Sequence, residues 1–230
     1  MEEKWFDTYN KEWVIYDRFS ACEDHDDNAF MMLLKHIDFH GKTVYEMGCG
    51  TGKYTDKIST LCDKLYAIDI SPLMIEKTRE RCSDKNNIDY IINSAENSGL
   101  PNESVDIVFA AWAHPPYFDN LVLIENIEKE FSRILKKGGS VWLFNNYQKG
   151  EFTQMRGLAE PDDPAAYFLD IFRKYGYTLA EIVPAYWKFK DIDEAKTVCS
   201  FIFGDKAIRF FEKKGFPTME DNIGIFTRKK

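Results

Sequence analysis

The stretch Val44-Tyr45-Glu46-Met47-Gly48-Cys49-Gly50-Thr51-Gly52 constrains the chain more than any other. It sets three closely spaced glycines between an apolar run and a helical one. Thr43 to Glu46 reads as a short strand and Lys53 to Leu61 as a helix. Glycine adopts positive φ at no steric cost and lets the main chain approach a ligand without a Cβ in the way. The helix that follows presents unpaired N–H groups at its start. A strand, a tight glycine turn and a helix therefore predict a ligand held by main chain.

The same alternation continues downstream. Lys64 to Ile70 is a second strand, and Ser71-Pro72 restarts a helix that runs to about Cys82. Serine there is an N-cap and proline occupies the first helical position. Ile88 to Ile92 and Val105 to Ala111 are further strands. Leu121 to Leu135 is a helix stopped by Gly138-Gly139, and Ser140 to Phe144 is a fifth strand. Such alternation predicts a parallel sheet covered by helices on both faces. Beyond Asn145 the rhythm loosens. Residues 147–164 are polar and irregular, Ala165 to Lys174 is a helix, and Leu179 to Phe189 is a sixth strand. Asp191 to Phe203 and Lys206 to Lys214 read as helices, and Ile223 to Arg228 closes the sheet as a seventh strand. One domain over residues 1–230 is expected. Residues 1–40 form a helical cap, with an aromatic stripe of Trp5, Phe6, Tyr9, Trp13 and Tyr16, and residues 147–164 a substrate-side insertion. Within the cap, Ala29 to Ile37 is an apolar helix ended by Gly41.

Three ligand classes compete for the glycine turn. A dinucleotide fingerprint needs glycine at position 53, which is Lys53. A phosphate-binding loop needs glycine at 47 and serine or threonine at 54, where Met47 and Tyr54 stand. Asp69 ends the second strand roughly twenty residues past Gly48, where an acid receives both hydroxyls of a ribose. The remaining pattern, Glu-x-Gly-x-Gly-x-Gly, resembles the first motif of the class I S-adenosylmethionine-dependent methyltransferases, in their small-molecule, type 11-like branch.

That resemblance implies a Rossmann-like α/β fold, a seven-stranded mostly parallel sheet with an N-terminal helical lid, and S-adenosyl-L-methionine as cofactor. It assigns Glu46, Gly48, Cys49, Gly50, Thr51 and Gly52 to the methionine end and Asp69 to the ribose. Ile70 and Met74 would lie beside the adenine and ribose. Asn93-Ser94-Ala95-Glu96, followed by Leu100-Pro101 and Ser104-Val105-Asp106, is similar to the family's loop after strand three. It brings Ser94, Ala95 and Glu96 to the adenine, with Ser94 in place of the usual aspartate. Ala111, at the end of the fourth strand, completes the set. The run Arg133 to Gly139 resembles the family's structural turn into strand five.

His114-Pro115-Pro116-Tyr117 follows the fourth strand, at the edge where open α/β sheets bind ligands. It is similar to the Asn-Pro-Pro-Tyr signature of methyltransferases that modify amino groups, with His114 in place of the amide. His114 is the candidate general base, because an imidazole with a pKa near 6.5 removes protons at neutral pH. Tyr117 would stack on a planar acceptor. Tyr16, with Tyr9, Trp13 and Asp17 on the lid, would reach the cofactor carboxylate or the acceptor, and Tyr186 and Trp187 would line the same cavity.

The acceptor is expected to be a small molecule methylated on O, N or S. Amino-group methylation of a nucleic acid or protein, and cofactor binding without catalysis, are the alternatives. A net charge of -8 repels a phosphate backbone and argues against nucleic acid. An aromatic share of 15% suits an enclosed apolar pocket. His36 and His40 lack the glutamate of a zinc helix and read as surface residues. Glu23-Asp24-His25-Asp26-Asp27 reads as a solvated helix-capping run, so no metal is expected. Five scattered cysteines read as free thiols of a reducing cytosol. With no apolar run near membrane length and no basic-then-apolar start, a cytoplasmic protein is expected, as monomer or homodimer.

Overall fold

In the computed structural model the described residues are 11–113, 120–158 and 166–230, the side chains of 166–169 excepted. Helices α1 (Trp13–Cys22) and α2 (Asn28–Leu33) precede β1 (Thr43–Met47), α3 (Lys53–Ser59), β2 (Lys64–Asp69), α4 (Pro72–Arg81) and β3 (Ile88–Ile92). Then come β4 (Val105–Ala111), α5 (Leu121–Ile134), β5 (Leu135–Asn146), α6 (Glu151–Met155) and α7 (Ala166–Arg173). The last elements are β6 (Thr178–Lys188), α8 (Ile192–Phe203), α9 (Asp205–Lys214) and β7 (Thr218–Lys229). Seven strands form one sheet in the order β3-β2-β1-β4-β5-β7-β6. The first five are parallel, while β7 runs antiparallel to β5 and β6. Strand order reverses between β1 and β4, where Val44 pairs with Ile107. A crevice opens at the carboxyl edge of such a reversal, because the connections leave it in opposite directions.

The central strands are buried on both faces, which explains their nearly unbroken apolar runs. Val44, Phe109, Phe144 and Ile225 pack beneath Leu33 and Ile58 on one face. Tyr45, Val108, Leu143 and Phe226 pack beneath Ile127 and Phe131 on the other. A third cluster, with Phe19, Trp187 and Phe211, joins α1 to α8 and α9 beyond the sheet's antiparallel end. Ser71 caps α4 by accepting from Met74 N at 3.3 Å, with Pro72 at its first position, as the sequence predicts.

Several expectations are corrected. Strand β5 starts at Leu135 rather than Ser140, since Leu135 pairs with Val105 before a register shift. The apolar helix stops at Leu33 rather than Ile37, because Lys35 and His36 donate three residues back and tighten the chain. Residues 147–164 include α6, whose Phe152 stacks on Trp187 with ring centroids 5.2 Å apart. Trp187 is therefore core and not pocket lining; it is 0% exposed and donates from Nε1 to Asp221 Oδ2 at 3.1 Å. Tyr186, 44% exposed, points to solvent.

The acidic run caps a helix, but only His25 and Asp26 are exposed, with Asp27 half-buried and Glu23 and Asp24 buried. Asp24 accepts from the N–H groups of Asn28 and Ala29, both at 2.9 Å, at the start of α2. Glu23 and Asp24 are buried, and burial pushes both carboxyls above their ordinary range against the weaker pull of the Lys53 ammonium. Asp26 and Asp27 pair with Lys188 and Lys57.

Candidate cofactor and acceptor site

All three glycines of the turn have left-handed backbone, with φ of +67° at Gly48, +56° at Gly50 and +88° at Gly52. Each is also crowded. A Cβ on Gly48 would sit 2.4 Å from that of Ala113, just past β4. One on Gly52 would meet the Cα of Thr78 in α4 at 3.2 Å, and one on Gly50 the Tyr16 hydroxyl at 3.0 Å. Glycine is needed at these positions both for conformation and for space.

Hydrogen bonds hold the turn against the carboxyl end of β2. The N–H groups of Gly48 and Cys49 donate to the Ile68 carbonyl at 2.8 and 3.0 Å. Gly50 N donates to Asp69 Oδ2 at 2.9 Å, and Thr78 Oγ1 donates to the Gly50 carbonyl at 2.7 Å. Asp69 Oδ1 accepts from Ser71 N at 2.9 Å. Burial pushes the Asp69 carboxyl above its ordinary range, against the pull of these N–H groups. The expected ribose acid therefore also ties the turn to the second strand. With lone pairs beyond those two bonds, it can still receive hydroxyls.

Glu46 lies under the turn. Thr55 Oγ1 donates to its Oε2 at 2.6 Å, and burial pushes its carboxyl up to about 8. Cys49 is buried with Sγ 3.7 Å from Thr78 Oγ1, and burial raises its thiol. Ile70 is exposed just past β2, while Met74 is buried in the first turns of α4. Ser94 and Ala95 are half-buried after β3. Glu96 is exposed and lines a surface depression with Asn126, Lys129 and Arg133 of α5. Ala111, half-buried, ends β4 opposite Phe144.

The cap helix α1 reaches the turn directly. Beside the Tyr16 hydroxyl at Gly50, Thr51 Oγ1 donates to Asp17 Oδ1 at 2.5 Å. Arg81 of α4 donates to the same carboxylate oxygen at 2.8 Å. Lys77 lies over the Trp13 ring, 4.6 Å from its centroid, and Arg18 donates to Glu194 of α8 at 2.5 Å. The Lys53 ammonium donates to the carbonyls of Ser20, at 2.8 Å, and Glu23. A cation suits this end of a helix, where carbonyls lack intrahelical partners. The sequence presents Lys53 only as the residue that breaks a dinucleotide pattern; its anchoring role depends on partners 30 or more positions away.

His114 and Tyr117, like Tyr9, lie outside the described residues. Trp112, just before them, takes φ of +51°, rare for an indole side chain. His36 and His40 are exposed on the opposite side, in a depression with Thr60 and Leu61. Among the described residues there is no cluster of three or more metal-ligating side chains, and no helix is long and apolar enough to cross a membrane.

Fold and turn together define an open α/β protein with a main-chain cradle at the strand-order reversal. Residues 45–143 match the family model of the methyltransferase domain, so this stretch of the chain resembles the S-adenosylmethionine-dependent methyltransferases. A malonyl-[acyl-carrier protein] O-methyltransferase from Ilyobacter polytropus is 26% identical over 69% of this chain and 58% of its own length. A phosphoethanolamine N-methyltransferase from Arabidopsis thaliana is 27% identical over 44% of this chain and 21% of its own. The chain thus spans less than two thirds of either relative. The YcgJ protein of Bacillus subtilis shares the fold, with a TM-score of 0.60 at 16% identity over 90% of this chain and 98% of that one.

Proposed function

We propose that the protein transfers the methyl group of S-adenosyl-L-methionine to an O, N or S atom of a small molecule. The observation that carries this reading is the glycine turn at the strand-order reversal, tied to Asp69, covered by α1 and packed too closely for a side chain at 48, 50 or 52. The sulfonium supplies an activated methyl group, so the chain's work is orientation, exclusion of water and proton removal. The turn and Asp69 would hold the methionine and ribose ends, and Ile70, Met74, Ser94 and Ala95 the adenine side. Glu46, neutral below about pH 8, would brace the turn through Thr55. Tyr16 on the cap would fix the cofactor carboxylate or the acceptor. We assign His114 as the base that takes the acceptor's proton, and Tyr117 as an acceptor wall. The relatives above are named for a carrier-protein-bound acid and for phosphoethanolamine. The chain's negative charge argues against nucleic acid.

Calorimetry with S-adenosylmethionine and S-adenosylhomocysteine tests the cofactor half. Both should bind, and Gly50→Val should remove binding by pushing Tyr16 off the turn. No binding to the unaltered protein refutes it. A panel of small acceptors with labelled methyl donor tests the other half.

A further inference from the structure

Among the described residues, five buried side-chain polar atoms have no hydrogen-bond partner: the hydroxyls of Tyr45 and Tyr54, Nε1 of Trp112, and both Nδ2 and Oδ1 of Asn145. Asn145 stands apart because its whole amide is unpaired while its side chain is 0% exposed. A folded chain rarely keeps a buried amide without partners, since its hydration is lost and nothing replaces it. The neighbouring Asn222, on the same sheet edge, donates from Nδ2 to the Lys149 carbonyl at 3.2 Å.

The place of Asn145 says what is missing. It is the penultimate residue of β5, at the carboxyl edge, and its partner on β7 is Gly224, which has no side chain to offer. On the other side, Ala111 pairs with Phe144, and Trp112 N donates to the Phe144 carbonyl at 2.9 Å. Asn145 thus lies alongside the segment that leads from β4 to Ala113. Strand alternation puts it on the face of Leu143, where Ala113 also packs, and Ala113 abuts Gly48 of the cofactor turn.

We propose that Asn145 recognises the methyl acceptor, through a neutral group with a hydrogen-bond donor and an acceptor side by side, such as a carboxamide or a hydroxyl beside a carbonyl. The pairing follows from the amide itself, which presents one accepting oxygen and two donating hydrogens in a plane. A carboxylate or ammonium would satisfy only one side of it. This assignment rests on the small-molecule reading above.

Three proteins are compared: the unaltered chain, Asn145→Leu and Asn145→Asp. Each is assayed for melting temperature, S-adenosylhomocysteine binding by calorimetry, and labelled methyl transfer to the acceptor panel. Leucine fills the same space and breaks no bond within the protein, so the variant should melt no lower than the parent. Its cofactor-product affinity should stay within about threefold. Its transfer to the parent's best acceptor should fall about 100-fold, mainly through KM, because a site built to hydrogen-bond loses much when the bond is removed. Aspartate, which keeps an accepting oxygen but loses both donors, should fall about tenfold or more. A drop in melting temperature above about 5 °C for Asn145→Leu would mark a structural amide held through water and overturn the assignment. Loss of cofactor-product binding would move Asn145 to the cofactor and overturn it too. Transfer equal to the parent's overturns the Asn145 role alone. A parent that binds cofactor but methylates nothing in the panel overturns the small-molecule reading, and this assignment with it.

Discussion

Glutamine at position 46 is the perturbation with the most calculable outcome. Glu46 is 3% exposed and receives a hydrogen bond from Thr55, yet burial pushes its carboxyl up to about 8. The folded state therefore binds a proton that the unfolded chain, with an ordinary glutamate pKa near 4.3, gives up. Stability from this group is fully present below the unfolded pKa and falls as pH rises toward the folded one. The slope is about 1.4 kcal/mol per pH unit, so raising pH from 6 to 8 costs about 2 kcal/mol. For a chain of this length that is about 4–8 °C in melting temperature. Glu46→Gln keeps the shape and the acceptor for Thr55 and removes the titration. Differential scanning calorimetry of both proteins from pH 6 to 8 reads the difference, which cancels other groups such as Asp221, held near 7 by burial. The variant should gain on the parent by those degrees as pH rises. Parallel curves would refute the reasoning.

Other outcomes follow from the same geometry. Gly48→Ala should cost more than about 3 kcal/mol in urea unfolding, by overlap with Ala113 added to left-handed strain. Gly138→Ala, with φ of +81° but open space around it, should cost only about 1 kcal/mol of strain. Glu128 is buried and accepts from Arg228 Nε and Nη2 at 3.0 and 2.8 Å, and from the Tyr177 hydroxyl at 2.9 Å. Glu128→Gln should therefore lower the melting temperature by on the order of 10 °C, since it leaves a buried guanidinium uncompensated. His114→Ala should slow transfer about 100-fold or more while leaving cofactor affinity unchanged, and it should remove a rise in rate near pH 6.5. An unaltered rate would take His114 out of the chemistry.

The glycine turn, the acid after the second strand, the serine–proline start of α4 and the five parallel strands were all legible in the sequence. They arise from backbone sterics and from periodicity within windows of about twenty residues or fewer. Even there the boundaries moved. Strand β5 began five residues early because its start is fixed by pairing with Val105, not by its own glycines.

Function-bearing detail was less legible where it depends on partners distant in the chain. Asp69 looked like a ribose ligand, and only the fold bonded it to Gly50. Lys53 looked like a mismatch, and only the fold turned it into the anchor of the cap. Glu23 and Asp24 looked solvated with the rest of the acidic run until the fold buried them, and Trp187 looked like a pocket wall until α6 stacked on it. Asn145 gave no signal at all, because an asparagine at a strand end is ordinary and its lack of partners is not. The sequence by itself determined the strand–turn–helix unit, because that conformation is a property of adjacent residues. Which side chains are buried, paired or left waiting for a ligand was decided by tertiary structure alone, because desolvation and hydrogen bonding depend on which residues from across the chain meet in space.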